Sequence, residues 1–143
     1  MKLQHHILLV EDNDGDMILT MEAIQENNKV HKISRVTDGE QAIDYLNKKG
    51  TFSNSSVPDL ILLDINLPKL DGKEVLAFIK NDERFKLIPV VVLSTSISDK
   101  DIKECYLLGA NCYISKPSDL HSFLKVIAAI ESFWLNIVNL PTN

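Results

Sequence analysis

The sequence predicts an α/β domain in which a parallel five-stranded sheet is covered by helices on both faces. Strand-like apolar runs alternate with helix-like stretches along the chain, in five βα units. Three of the runs, ILLV, LILL and VVVL, are continuously apolar rather than alternating, which is typical of strands buried between two layers of helices. Each run ends on polar residues, and these are expected at one edge of a parallel sheet.

Each element has a local signature. Predicted strands cover residues 7–10, 32–36, 60–63, 90–93 and 112–114, and predicted helices lie near 16–26, 39–47, 72–81, 99–108 and from about 119. Apolar residues recur at helical spacing in the first and last helices. The pairs Asp38-Gly39 and Asp71-Gly72 can each end a loop and start a helix, and Pro89 suits the start of a strand.

Length and composition are those of one domain. The chain has 143 residues, of which 45% are hydrophobic, which is enough for one packed core. We expect a single domain over 1–143 with its core at about 7–130. The apolar stretches fall short of the roughly 20 residues of a membrane span, and no secretory signal is evident. A cytoplasmic protein without a membrane partner is therefore expected.

Two segments lie outside this minimal pattern. Residues 48–58 (KKGTFSNSSVP) are rich in Ser, Asn and Gly and predict a long, mobile loop insertion. Residues 131–143 extend the last helix with apolar side chains such as Phe133, Trp134 and Ile137, more than one sheet face can cover. We expect some of this apolar surface to contact a partner protein.

Charge and cysteine content exclude several classes of function. The 15 Lys and Arg residues against 20 Asp and Glu give a net charge of −5 without a local basic cluster, so DNA or RNA binding is not expected. Cys105 and Cys112 have no CxxC partner, which indicates neither a disulfide framework nor a zinc site. We interpret them as buried free thiols.

Three carboxylates follow the first and third predicted strands. Glu11 and Asp12 come directly after the first apolar run, and Asp64 comes directly after the third. These strand ends adjoin at the topological switch point of a doubly wound sheet. Like charges about 4 Å apart repel by about 4 kcal/mol at an effective dielectric constant near 20, and a divalent cation removes that repulsion. Oxygen ligands without an EF-hand loop favour Mg²⁺ over Ca²⁺, zinc or copper.

Asp64 is the candidate nucleophile. A carboxylate is already ionised at neutral pH, so it can attack phosphorus without a general base. Ser94 ends the fourth apolar run and Lys116 follows the fifth. Their hydroxyl and ammonium, together with Mg²⁺, can stabilise the charge that phosphoryl transfer spreads over the equatorial oxygens. The set predicts phosphoryl transfer onto an aspartate.

These motifs resemble those of the receiver domain of two-component response regulators, over about residues 7–130. VEDN carries the acidic pair, LLDINLPKLDG the phosphoryl acceptor, VVVLSTS the hydroxyl and YISKP the lysine. The intervals of 30 residues from Asp64 to Ser94 and 22 from Ser94 to Lys116 agree with the family pattern. The resemblance implies a flavodoxin-like fold with strand order 2-1-3-4-5.

The resemblance also implies a reaction. Asp64 would accept a phosphoryl group from a histidine kinase or a phosphotransfer protein. Glu11, Asp12 and Asp64 would hold Mg²⁺ together with the backbone carbonyl of Asn66. The protein would be a signalling phospho-acceptor rather than an enzyme, assisting its own phosphorylation and a slow autodephosphorylation.

Three further roles follow from the same resemblance. Lys116 would bridge to a phosphoryl oxygen, Ser94 would move toward the phosphate, and Tyr113 would turn inward as a switch residue. The Lys116–Pro117 peptide bond would be cis. The surface change produced by this switch would carry the signal to an effector protein.

The loop at 48–58 and the apolar tail are similar to those of single-domain regulators associated with bacterial phytochrome histidine kinases. This likeness implies a phytochrome-type kinase as the phosphoryl donor. With no effector domain expected in the chain, output would pass to a separate protein. The apolar tail favours a homodimer.

Three other functions fit the sequence less well. An aspartate-nucleophile phosphohydrolase resembling haloacid dehalogenases needs an acid two residues after the nucleophile, where this chain has Asn66. An FMN carrier needs a phosphate-binding first loop, but EDNDGD is acidic. A docking module independent of phosphorylation would not require the full set of site residues.

Overall fold

The structure, a computed structural model that describes residues 4–27 and 31–141, contains one parallel sheet between two layers of helices. The strands are β1 (His6–Val10), β2 (Lys32–Val36), β3 (Leu60–Leu63), β4 (Val90–Ser94) and β5 (Cys112–Ser115). The helices are α1 (Asp14–Asn27), α2 (Gly39–Leu46), α3 (Gly72–Asn81), α4 (Asp99–Leu107) and α5 (Leu120–Ile130). The strand order is β2-β1-β3-β4-β5, which confirms the predicted fold class.

Both faces of the sheet are covered because alternate strand residues pack into two separate apolar clusters. Leu8 and Val10 belong to the cluster beneath α2, α3 and α4, whereas Ile7 and Leu9 belong to the cluster beneath α1 and α5. Every residue of β1, β3 and β4 is buried. Burial of each large aliphatic side chain contributes about 1.5–3 kcal/mol, which explains why these central strands are apolar without alternation.

Parallel pairing aligns the ends of the strands. Val10 lies opposite Leu63 in the β1–β3 pair, and Ser94 lies opposite Ser115 in the β4–β5 pair. Because neighbouring strands run in the same direction, the residues that follow these partners lie along one edge. The acids after β1 and β3 and the lysine after β5 therefore belong to the same edge of the sheet.

Helix starts are fixed by capping side chains. Four of the helices begin after an N-cap residue whose side-chain oxygen accepts the backbone N–H three positions later: Asp38, Asp71, Ser98 and Asp119. Each such cap is worth about 0.5–2 kcal/mol. A Cβ at Gly39 would lie 1.9 Å from the backbone oxygen of Leu70. The predicted helix starts at 39 and 72 are thus confirmed, and Gly39 lets α2 approach the β3–α3 loop closely.

Residues 48–58 are anchored to the rest of the domain. They include a short 3₁₀ helix, Gly50–Phe52, and the Phe52 ring packs edge-on against Tyr45 with 5.4 Å between centroids. The Ser55 hydroxyl donates to the Tyr45 carbonyl at 2.9 Å, and the Ser56 hydroxyl lies 3.1 Å from Nδ1 of His6. These side chains tie the segment to α2 and β1, and the mobility of the loop stays a prediction.

Helix α5 is followed directly by a π-helical segment, Glu131–Ile137. Together with α5 it forms the one stretch among the described residues, Leu120–Ile137, that is long and apolar enough to span a membrane, with a mean hydropathy of 1.2. The sequence prediction overlooked this stretch. Its inward side chains, including Phe123, Ile127 and Leu135, pack against the sheet beside α1, so we interpret it as a helix of the folded domain.

Candidate functional site

Three carboxylates meet where β1 and β3 end. Side-chain oxygens of Glu11, Asp12 and Asp64 lie within 4.8 Å of one another, with Glu11 and Asp64 buried and Asp12 exposed. The structure thus brings these three predicted residues together. An all-oxygen donor set with one face open to solvent fits a hard divalent cation that keeps part of its water shell.

Lys116 lies inside this acidic cluster. Its Nζ is 2.5 Å from Glu11, 3.0 Å from Asp16 and 3.3 Å from Asp64, and its side chain is only 4% exposed. The ammonium offsets part of the repulsion among the carboxylates, and their charge stabilises the buried ammonium in return. Sequence reasoning missed Asp16. The available signal was an acid in the first turn of α1, shortly after the acidic pair.

Burial and neighbouring charges shift the pKa values of Glu11 and Lys116. Burial raises the pKa of Glu11 to about 7, although the hydrogen bond and the charge of Lys116 act in the opposite direction. Burial alone would lower the pKa of Lys116, but its hydrogen bond to Glu11 and the charges of Asp64 and Glu11 raise it above the ordinary value. Lys116 is therefore held as a cation.

The β1–α1 loop that carries the acidic pair is held by contacts within the loop and from β2. The Asn13 N–H donates to Oε2 of Glu11 at 3.1 Å. Arg35, on β2, donates through Nε to the Glu11 carbonyl at 3.1 Å and forms a 2.7 Å ion pair with Asp14. Arg35 is a second residue that sequence reasoning missed, because its partners lie more than twenty positions away.

Asp64 is held at the edge by its own loop and by α3. Its Oδ1 accepts the Asn66 N–H at 3.1 Å, while its Oδ2 faces Lys116. A Cβ at Gly72 would lie 2.3 Å from the backbone oxygen of Asp64, so only glycine lets α3 begin this close to Asp64. The backbone of Asn66 thus lies beside the carboxylate, and its carbonyl remains the predicted fourth metal ligand.

Ser94 and Tyr113 meet at the backbone of Ser96. Ser94 is fully buried at the end of β4, and its Oγ accepts the Ser96 N–H at 3.2 Å. The Tyr113 hydroxyl donates to the Ser96 carbonyl at 2.8 Å. The two predicted switch residues are therefore linked through one residue of the β4–α4 loop, which sequence reasoning did not single out.

The Lys116–Pro117 peptide bond is trans. The described ranges, 4–27 and 31–141, contain no cis peptide bond, so the expectation of a cis bond is wrong. The Lys116 N–H donates to the Ser94 carbonyl at 2.7 Å and so continues the β4–β5 pairing. At X-Pro bonds the trans form is favoured by about 0.5–1 kcal/mol. With the trans bond, the Lys116 ammonium lies in contact with Glu11, Asp16 and Asp64.

The fold and the edge cluster together define a known class of protein. The family model of the response regulator receiver domain matches residues 7–128. The chain belongs to this family, and it is a receiver-domain response regulator of two-component signalling. The resemblance inferred from the four motifs is confirmed.

Individual relatives match over nearly the whole chain. Response regulator Rcp1 from Synechocystis sp. is 46% identical over 135 residues, which cover 94% of this chain and 92% of Rcp1. The crystal structure of the phosphorylated cyanobacterial phytochrome response regulator RcpA has a TM-score of 0.94 at 49% identity, covering 97% of this chain and 99% of that one. The Mn²⁺-bound form of Rcp1 has a TM-score of 0.93 at 45% identity, covering 96% and 99%.

Proposed function

We propose that Asp64 accepts the phosphoryl group of a phosphohistidine in a Mg²⁺-dependent reaction. The observation that carries this proposal is the convergence of three carboxylates and the buried Lys116 at one edge of the sheet. In the reaction, an Asp64 oxygen attacks phosphorus while the N–P bond to the donor imidazole breaks. The imidazole leaves, and an acyl phosphate forms on Asp64.

The residues around Asp64 are suited to this transfer. Lys116 Nζ is 3.3 Å from the acceptor oxygen, so its ammonium can contact a phosphoryl oxygen bonded there. The Ser94 hydroxyl, whose oxygen accepts the Ser96 N–H, can be a further donor to the phosphoryl group. Mg²⁺ held by Glu11, Asp12, Asp64 and the Asn66 carbonyl would supply the remaining neutralisation of phosphoryl charge. The Mn²⁺-bound form of the relative Rcp1 supports the binding of a divalent cation by this chain.

Two of the alternative functions, the phosphohydrolase and the docking module, fit the site less well. Asn66, whose N–H lies against Asp64, stands where a phosphohydrolase would have its general acid, and an amide cannot protonate a leaving group. A docking module that ignores phosphorylation would gain nothing from burying Lys116 among carboxylates, because the desolvation of buried charges is costly. Phosphoryl acceptance explains both features.

The proposed donor is a histidine kinase of the phytochrome type, or a phosphotransfer protein that such a kinase charges. Support comes from RcpA, whose structure is that of a cyanobacterial phytochrome response regulator and matches this chain over 97% of its length. We place the reaction in the cytoplasm. The acyl phosphate would be lost slowly by autodephosphorylation, and the altered surface would bind an effector protein while it persists.

We also propose that the C-terminal helix contributes to a homodimer. Phe133 and Ile137 are 48% and 67% exposed, and only 28% of Leu120–Ile137 is buried within the domain. The Phe133 ring packs edge to face against the partly buried Trp134, with 5.5 Å between centroids. Contiguous apolar surface of this kind is typical of protein–protein contacts.

Intact mass measurement tests the proposed acceptor. Wild-type protein incubated with Mg²⁺ and acetyl phosphate should gain one phosphoryl group, and protein incubated with excess EDTA should gain none. Asp64→Asn, which preserves the size of the side chain, should also gain none. An adduct that persists in Asp64→Asn would move the acceptor to another residue and overturn the proposal.

A further inference from the structure

A network of charged side chains lies beside the site but outside the residues assigned to the reaction. Lys73, in the first turn of α3, places its Nζ 2.6 Å from Asp101 and 2.6 Å from Glu104, both on α4. The second carboxylate oxygen of Asp101 accepts the Ser96 hydroxyl at 2.5 Å. The Lys73 and Asp101 side chains are each 25% exposed, so water only partly screens their interaction.

This network ends on the hydroxyl that is proposed to bind the phosphoryl group. The backbone N–H of Ser96 donates to Ser94 Oγ, its carbonyl accepts the Tyr113 hydroxyl, and its own hydroxyl donates to Asp101. The position of Ser96 therefore affects how easily Ser94 turns.

The network also borders the β3–α3 loop, which follows Asp64. Lys73 and Asp101 line a groove of about 380 Å³ together with Ile65, Asn66 and Asp71 from the segment after Asp64. The hydrogen bonds from Lys73 and Ser96 lower the pKa of Asp101, and those to Asp101 and Glu104 raise the pKa of Lys73. Both groups are charged at neutral pH, so the pair is present under the conditions of signalling.

We propose that Lys73 is a positioning residue that holds α4 and the Ser96 backbone in the arrangement seen here, in which Tyr113 packs inward against the core and donates to the Ser96 carbonyl. It acts through Asp101 and Glu104, and thereby sets how readily Ser94 turns toward a phosphoryl group. This inference rests on the proposed function, since it requires a phosphoryl group on Asp64. Loss of the Lys73 contact leaves the acceptor chemistry in place but makes this arrangement of Ser96 and the inward Tyr113 less stable.

Beryllofluoride, which mimics a phosphoryl group on an aspartate carboxylate in the presence of Mg²⁺, provides the test. Lys73→Met should bind beryllofluoride about 2- to 5-fold less tightly than wild type, as expected for loss of a partly exposed ion pair. Asp101→Asn should change the affinity in the same direction. Lys73→Arg should restore wild-type affinity, and Lys103→Met, on an exposed position of α4, should not change it.

The pair of substitutions separates a contact effect from a general charge effect. Lys73→Met and Asp101→Asn remove charges of opposite sign, so a long-range effect on the acidic cluster would move the two affinities in opposite directions. Loss of the contact moves them together. Amide hydrogen exchange at 95–98 in the unphosphorylated protein should also become faster in both variants, whereas Lys103→Met should leave it unchanged.

The outcomes distinguish this inference from the function on which it rests. If wild type binds beryllofluoride through Asp64 but Lys73→Met and Asp101→Asn bind it with wild-type affinity or with opposite changes, the role of Lys73 is overturned and the acceptor stands. If wild type does not bind it, or Asp64→Asn binds it equally well, both proposals fall. A lower unfolding midpoint with unchanged affinity would show that Lys73 only joins α3 to α4.

Discussion

Lys116 shows how a single residue can make an acidic cluster tolerable. Its ammonium contacts three carboxylates within 3.3 Å, each of which would otherwise face its neighbours with unbalanced charge. Removing one partner of a buried ion pair leaves the others uncompensated. The same arrangement places a cation where a phosphoryl oxygen would arrive, so the group that stabilises the resting protein also serves the proposed reaction.

His31 is a second buried titratable residue, away from the acidic edge. Its Nδ1 accepts the backbone N–H of His5 at 3.1 Å, and its Nε2 lies 3.9 Å from Glu131 at the start of the π-helical segment. Burial lowers the pKa of His31, and so does the neighbouring His5, whereas the charge of Glu131 acts in the opposite direction. The folded protein therefore binds a proton at His31 less readily than the unfolded chain.

We predict that protonation of His31 destabilises the fold at acidic pH. Because the unfolded chain binds this proton more readily, the free energy of unfolding should decrease as the pH falls below the ordinary histidine value of 6.5. Denaturant titrations between pH 5 and 8 would measure this contribution as the difference in unfolding free energy between wild type and His31→Gln. His121→Gln, on an exposed position, is the matched control. The prediction is contradicted if the difference in unfolding free energy between wild type and His31→Gln changes with pH no more than the difference between wild type and His121→Gln.

At the scale of secondary-structure elements, the contact between α2 and the β3–α3 loop constrains the segment that follows Asp64. Asp38 caps α2, and Gly39 lies against the Leu70 backbone. Lys69, just before Leu70, has a φ of 65°, a left-handed conformation that costs a non-glycine residue energy. The loop is therefore held in a strained path by its neighbour helix.

Gly39→Ala should push the β3–α3 loop away from α2. Its Cβ would lie 1.9 Å from the Leu70 oxygen, so we expect a loss of about 1–3 kcal/mol in the free energy of unfolding. Phosphorylation by acetyl phosphate should also slow, since this loop follows Asp64. Gly15→Ala, whose nearest contact is Asn13 at 3.3 Å, should be neutral or slightly stabilising in the α1 helix. Equal stabilities of the two variants would refute this account of the loop.

Elements with a local signature were predicted well, because their causes lie within a few residues. The apolar run at 60–63 and the capping pair Asp38-Gly39 need no distant partner. Contacts that depend on how elements are oriented were not predicted. Asp16 reaches Lys116 only because α1 lies over the sheet edge, and Lys73 reaches Asp101 across 28 positions of sequence. Residues 48–58 have the composition of a mobile loop, but distant His6 and Tyr45 anchor them.

At the scale of the whole molecule, the C-terminal helix leaves large apolar side chains exposed to solvent. One side of Leu120–Ile137 completes the core beside α1, while its other side leaves Phe133 and Ile137 exposed. Nothing in the folding of one chain requires apolar residues there. Their presence is explained if a second surface covers them, and a second copy of the chain is the proposed partner.

We predict that the protein self-associates through this helix. Sedimentation should show concentration-dependent dimers in the wild type, and Phe133→Ser with Ile137→Ser should shift the population toward monomers. Leu87→Ser, which alters an exposed leucine in the α3–β4 connection, is the control and should leave association unchanged. A strictly monomeric wild-type protein at high concentration, phosphorylated or not, would end the proposal.

Chemical trapping of the phosphorylated residue tests the central claim most directly. Protein treated with phosphoramidate and Mg²⁺ is reduced with sodium borohydride, which converts an aspartyl phosphate to homoserine, and is then sequenced by tandem mass spectrometry. We predict homoserine at position 64 alone, and none when EDTA replaces Mg²⁺. Homoserine at another acidic position, or a phosphorylated protein that yields none, would contradict the assignment of Asp64 as the phosphoryl acceptor.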